Sequence, residues 1–381
     1  MIYFDNCSTS FPKAPGVGMA MMKFIEEGAV NVNRGTYKKA YDVENIVYET
    51  RVMLCKLFKF DKPSNVIFTP SITYSLNYFI KGFLKKGDHV IVSSLEHNAV
   101  IRPLTQMKDL GIEYSLVKGD MNGNIEAEGF REELRDNTKA IIVLHGSNVS
   151  GNILPIRQIG EMIKDTSIAF VVDTAQTAGV IDIDMRDNYI DFLAFTGHKG
   201  LMGPQGIGGF IVRDEIAKEI DPVITGGTGS SSDSAYVPQF LPDRFESGTL
   251  NIPGIVGLNV ALKYLNKIGI EKIYEKELEL TSYFIEKIRN IDGVKVVGEQ
   301  KLENRVAVVS LDFNGLDNAS VAFELDNVYN ISTRVGLHCA PEAHKTLGTY
   351  PQGTVRFSFG YTNTKEEIDL CIEAIKKICE Y

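Results

Sequence analysis

Between residues 60 and 212, short apolar runs alternate with stretches whose apolar positions recur at helical spacing. The runs Val66–Thr69, His89–Ser93, Ile112–Val117, Ala140–Leu144, Ile168–Val172, Asp191–Phe195 and Ile207–Val212 each have strand length. Amphipathic stretches such as Ile72–Phe83 and Pro155–Lys164 lie between them. Strands that are apolar on both faces and separated by helices predict a mainly parallel, seven-stranded sheet covered on both sides. Ligands of such α/β sheets bind beyond the C-terminal ends of the strands, so the chemistry is sought there.

After Leu250 the pattern changes. A long charged helix over Glu271–Asn290 is followed by strand patterns at Val294–Val297 and Ala307–Phe313, a helix near Ala319–Asn327 and a strand at Thr354–Phe359. Thr364 precedes Glu367 by three residues, the capping-box spacing that starts a last helix. This half reads as a smaller α+β domain. The expected division is an N-terminal segment 1–14 packing with the small domain, a large domain over 15–252 and the small domain over 253–381. The stretch Thr225–Ala235 has too little apolar content to pack and is expected to form a mobile loop.

Composition narrows the class. The chain has 381 residues, enough for two domains, with 40 Lys and Arg against 49 Asp and Glu, a net charge of −9. That balance speaks against nucleic acid or an anionic membrane as a partner held by bulk charge. With 44% apolar and 23% charged residues the chain is globular, and no apolar run is long enough to span a bilayer. The first residues carry no signal-peptide pattern. Five scattered cysteines without a CxxC pair indicate neither a disulfide framework nor a zinc ribbon. A soluble, cytoplasmic protein is expected.

The chemistry concentrates at two strand ends. Ile168–Val172 delivers Asp173, with Gln176 three residues on, and Asp191–Phe195 runs into Thr196-Gly197-His198-Lys199. A carboxylate and an amine at neighbouring buried strand ends suit pyridoxal 5′-phosphate (PLP). The amine condenses with its aldehyde, and the carboxylate holds its ring nitrogen protonated so that the ring accepts electrons. For an arbitrary Asp and Lys, a helix cap and a solvent-facing amine are the commoner fates.

The surrounding residues change that balance. VVDTAQTAG followed by FTGHKGLMGPQGIGG resembles the signature of the class V aminotransferase group, and within it the cysteine desulfurases. The resemblance continues through YFDNCST at the start, NVNRG at 31–35, LEHNAV at 95–100, HGSNVSG at 145–151, ESGTLN at 246–251, RVGLHCAP at 334–341 and VRFSFGYTNT at 355–364. It implies the PLP-dependent transferase fold type I. It also implies a Schiff-base and acid/base role for Lys199, a partnership of Asp173 with the pyridine nitrogen, and contact of Gln176 and Asn148 with the cofactor edge. By the same resemblance, His97 is expected to stack on the ring and relay protons, Thr73, Thr196 and His198 to hold the phosphate, and Thr249 to reach it from the partner subunit of a homodimer. The first phosphate loop departs from the family: Ser71-Ile72-Thr73 offers one hydroxyl fewer, Ile72 supplying only backbone.

Cys339 matches the family's nucleophile, a thiolate that takes sulfur from PLP-bound cysteine as a persulfide. Arg334 and His338 are expected to favour the thiolate, Arg356 to clamp the substrate carboxylate with Asn148 and Arg334, and Arg34 to line the site in an undefined role. Cys371 and Cys379 fall on one face of the last helix and are given the core. A zinc site from His338, Cys339 and His344 lacks a fourth ligand, so no metal is expected. GPQGIGG lacks the GxGxxG spacing. The resemblance thus implies conversion of L-cysteine to L-alanine with sulfur passed through Cys339 to an acceptor protein for iron–sulfur assembly or thiolation. L-Selenocysteine is a further candidate substrate, and selenocysteine lyase, cystine lyase, transaminase or a non-catalytic binding subunit remain alternatives.

Overall fold

A computed structural model describes residues 1–28, 30, 37–231 and 233–380. The chain opens with a short strand β1 (Ile2–Tyr3) and helices α1 (Val17–Gly28) and α2 (Lys38–Leu57). There follow β2 (Val66–Thr69), α3 (Ile72–Phe83), β3 (His89–Ser93), α4 (Asn98–Met107), β4 (Glu113–Val117), α5 (Ala127–Glu132) and β5 (Thr138–Leu144). Helix α6 (Ile156–Ile163), β6 (Ala169–Asp173), β7 (Phe192–Thr196), β8 (Gly208–Val212) and α7 (Asp214–Glu219) complete the first unit's sheet and its covering layers. Two long helices, α8 (Ile252–Ile268) and α9 (Ile270–Ile288), lead to β9 (Val294–Val297), β10 (Val308–Phe313), α10 (Asn318–Asn327), β11 (Ile331–Ser332) and β12 (Arg334–Gly336). Helix α11 (Pro341–Thr346), β13 (Thr354–Ser358) and α12 (Lys365–Cys379) end the described chain.

The seven strand patterns pair into one sheet in the order β2-β8-β7-β6-β5-β3-β4. Strands β3 to β7 pair in parallel, and β8 runs antiparallel to both β7 and β2. Strands β2, β3, β6, β7 and β8 are buried at every position, as a sheet covered on both faces requires. One apolar layer lies on each side of it. The second unit is an antiparallel sheet in the order β12-β13-β10-β9, packed against α9, α10 and α12. The capping box at Thr364 and Glu367 is formed, Cys371 is buried in this core, and Cys379 packs half-buried at its margin.

Helix α8 packs on α1 and α2 and shares their core. The helix is apolar on most of its faces, as a helix buried between others requires. The N-terminal segment touches both units. Strand β1 pairs with β11, and Asp5 bridges to Ser358, whereas Ser10 and Ala14 bond the backbone of His198 and Met202. Residues 225–231 and 233–235 contain neither helix nor strand.

Candidate active site at the strand ends

Parallel pairing of β6 with β7 puts Asp173 opposite Ala194, two residues before Thr196. Asp173 is buried, and its Oδ1 accepts the N–H of Ala175 at 2.8 Å. Burial pushes its carboxyl up, opposed by that N–H and by the charge on Lys199. Lys199 leaves the turn after β7, and its amine donates no hydrogen bond among the described residues. Burial pushes its proton affinity down, and the cations Arg356 and Arg334 act in the same direction against Cys7 and Asp173. A buried acid and a buried amine that form no ion pair with each other are both short of a partner.

Two more polar atoms beside them share this state. Thr196 Oγ1 and His198 Nδ1 are buried without any partner. Burial, then the charges of Lys199 and Lys13, hold His198 neutral, down to about 4. Across the site Thr73 stands exposed in the first turn of α3, whose cap Ser71 makes no side-chain bond to the helix. Ile72 turns its side chain into the core, so only its backbone faces the turn. Orphaned hydroxyl and imidazole donors beside an amine and a carboxylate fit the phosphate, aldehyde and ring nitrogen of PLP. Thr249 is exposed beside Pro70 and Tyr74, three residues beyond the buried Glu246.

His97 caps α4, its Nδ1 accepting the N–H of Ala99 at 3.0 Å. Burial and the charges of Lys199 and Arg356 push it down to about 4, so the neutral ring carries its proton on Nε2. Beneath it lies Glu96, fully buried. It accepts the Leu144 N–H with both oxygens (3.0 and 3.1 Å) and Ser93 Oγ at 2.5 Å, and burial raises it to about 8. Gln176 Nε2 donates to the Cys7 carbonyl at 3.3 Å, and Cys7 and Gln176 line a cleft together with Lys199.

The second unit supplies the other wall. Arg356 sits on β13, an interior strand, in register with Arg334 on β12. It donates to the Asn148 carbonyl (3.0 Å), Asp5 Oδ1 (3.0 Å) and Ser8 Oγ (2.8 Å), and its Nε is buried and unpartnered. Arg334 also donates to Ser8 Oγ at 2.8 Å. Asn148 donates to the His338 carbonyl at 2.8 Å and leaves its Oδ1 orphaned in the interior.

Cys339 is exposed on the turn between β12 and α11, in a groove shared with Thr73, His97 and Arg102. Both His338 and Cys339 have left-handed backbone, φ +47° and +58°. The Cys339 carbonyl accepts the N–H of Asn98 at 2.7 Å, which ties this turn to the start of α4. His338 departs from expectation. Its ring is buried, bonded to Thr354 Oγ1 (3.0 Å) and packed 5.5 Å from the His344 ring. Burial and the nearby arginines push it to about 2, so it is neutral and lends no positive charge to the thiol. Arg34 and NVNRG lie outside the described residues. No cluster of three or more His, Cys, Asp or Glu suited to a metal occurs among the described ones.

Asp5, Ser8, Lys13 and Glu96 escape a reading by sequence, although YFDNCST and LEHNAV contain three of them. Only the fold reveals that the first two meet Arg356 across roughly 350 residues of chain.

The family model for class-V aminotransferases matches residues 2–371. A probable cysteine desulfurase of Methanothermobacter thermautotrophicus is 32% identical over 99% of this chain and 94% of its own length. One of Pyrococcus abyssi is 33% identical with the same coverage. Among solved structures, the apo cysteine desulfurase of Thermococcus onnurineus NA1 superposes with a TM-score of 0.93 at 32% identity, covering all of this chain and 94% of that one. The cysteine desulfurase CsdA of Escherichia coli, solved in an S-sulfonic acid form, gives 0.89 at 25% identity over 99% and 94% of the two chains. The chain belongs to the class-V aminotransferase family and, within it, to the cysteine desulfurases.

Proposed function

We propose that the chain converts L-cysteine to L-alanine with PLP held by Lys199, Asp173, Gln176, Asn148, His97, Thr73, Thr196 and His198, and stores the released sulfur on Cys339. PLP, when bound, supplies an aldehyde for covalent capture of an amino acid and an electron-accepting ring that acidifies the Cα–H bond. Asp173, lacking a cation, offers its charge to the ring nitrogen. Lys199, its proton affinity lowered by burial, provides a free amine to take the Cα proton at Nζ. Arg356, through the unpartnered Nε, and Arg334 bind the substrate carboxylate, with Asn148 Oδ1 beside them. His97 holds a transferable proton on Nε2.

The sulfur step balances without an added oxidant. Cys339 thiolate attacks the substrate sulfur, a new S–S bond forms and the Cβ–S bond breaks. The electron pair stays on Cβ, which takes a proton to become the methyl group of alanine, and Cys339 is left as a persulfide. The observation that carries this reading is the tie between the Cys339 carbonyl and Asn98, which holds an exposed thiol in the groove of His97. Mass spectrometry after adding L-cysteine tests it. The expected result is one extra sulfur on the Cys339 peptide with equimolar alanine. Cys339→Ser is expected to lose both while retaining the lysine-bound cofactor absorbance, and sulfide release by that variant at the parental rate overturns the reading.

A homodimer extends the proposal. Helix α1 buries only Val17, and Met19, Met22, Ile25, Tyr41, Tyr48 and Val52 of α1 and α2 are exposed, an apolar surface suited to a second copy. Exposed Thr249 is then available to the partner's phosphate. Because the described cysteines are all free, a reducing cytoplasm suits the chemistry, with a protein of iron–sulfur assembly or thiolation as acceptor.

A further inference from the structure

The peptide carbonyl that precedes Lys199 is gripped by the N-terminal segment. His198 O lies within hydrogen-bond distance of four donors: Ser10 N (2.9 Å), Thr9 Oγ1 (3.1 Å), Ser10 Oγ (3.2 Å) and Lys13 Nζ (2.8 Å). Lys13 is the charged member. Its ammonium spends all three N–H groups here, the other two going to Thr9 Oγ1 (2.9 Å) and Ser10 Oγ (3.3 Å). The grip continues past the lysine: Met202 N donates to Lys199 O at 2.8 Å, and Ala14 N donates to Met202 O at 3.0 Å.

We propose that Lys13 is a positioning residue for Lys199, fixing and polarising the His198–Lys199 peptide through its carbonyl oxygen. A trans peptide points its C=O and N–H in opposite directions. The N–H of this unit, on Lys199, makes no bond among the described residues, and the orphaned Thr196 Oγ1 and His198 Nδ1 lie at the end of β7 and on the turn after it. A cation on the oxygen shortens and strengthens that hydrogen bond relative to a neutral donor, restricts the turn, and leaves the opposite N–H a better donor toward an anion. Thr9, Ser10 and His198 are the polar groups around the ammonium, and none of them carries a negative charge. Burial accordingly pulls Lys13 down to about 8, so its charge is lost within an accessible pH range.

The inference rests on Lys199 being the residue that captures PLP, and the experiment separates the two. Apo-protein of wild type, Lys13→Met, Lys13→Arg and Lys199→Ala is mixed with PLP, and the growth of the lysine-bound absorbance is timed from pH 6.5 to 9.5, alongside melting curves. Lys199→Ala is expected to develop no such band. If it does, the assignment of Lys199 fails whatever Lys13 does. Lys13→Met is expected to capture PLP about tenfold more slowly at pH 7, consistent with loss of one charge-assisted bond. Its deficit relative to wild type should shrink as pH rises through 8, while Lys13→Arg keeps the fast rate beyond pH 9. Capture by a folded Lys13→Met at the wild-type rate, or a deficit that stays constant with pH, overturns the proposal. Should Lys13→Met melt too low to assay, the pH dependence of wild type divided by Lys13→Arg decides alone: a ratio that falls above pH 8 supports it and a flat ratio overturns it.

Discussion

Arg356 holds three acceptors already, yet its Nε is buried with none, an arrangement that costs stability unless something else arrives. An anionic carboxylate is the natural complement, and the guanidinium's planar geometry is what makes both its edges usable. Arg356→Lys keeps the charge but loses the fork. It is therefore expected to raise the KM for L-cysteine tenfold or more in steady-state assays with a smaller fall in kcat, and with the cofactor absorbance unchanged. Asp173→Asn removes the buried charge instead. It is expected to lower turnover at least a hundredfold and to weaken PLP retention on gel filtration. The placement of Asp173 and Lys199 at neighbouring strand ends is legible in sequence, because each follows closely on a buried-strand run. Asp5 and Ser8 are not, because their role exists only once β1 has paired beside the second sheet.

At the scale of elements, strands such as β2, β6 and β7 are readable because a strand buried on both faces is a contiguous apolar run, whatever its neighbours. Strand β12 is not. Its three residues are an edge, Arg334 and Val335 exposed, with no alternation to detect. Yet β12 and β13 carry the two arginines and launch the Cys339 turn. Gly353 matters to this pair: its φ is +74°, and a Cβ there would meet the carbonyl carbon and oxygen of Gly336 at 2.3 Å. Gly353→Ala is therefore expected to push β12 from β13, costing about 1–3 kcal/mol in urea unfolding and slowing Cys339 persulfide formation more than PLP binding.

Across the whole molecule, all six histidines have lowered proton affinity from burial: His89, His97, His145, His198, His338 and His344. The unfolded chain takes up protons near pH 6.5 that the folded one refuses, so stability falls as pH drops below that value. Glu96 and Glu277, both raised to about 8 by burial, work the other way. Folded, they stay protonated where the unfolded chain has released its protons, and this contribution is lost as pH rises through 8. Asp173 and Asp191, also raised by burial, act in the same direction as the two glutamates, and six histidines outweigh these four acids below pH 6.5. Denaturant titrations of apo-protein are expected to give a maximum near pH 6.5, with a steeper decline toward pH 5 than toward pH 8.

The turn that bears Cys339 is short and moored at both of its left-handed residues, His338 to Asn148 and Cys339 to the first amide of α4. On the proposed reading, sulfur parked on that side chain would sweep only the radius of a few covalent bonds, and a recipient thiol would have to be carried to the groove mouth by the visiting molecule itself.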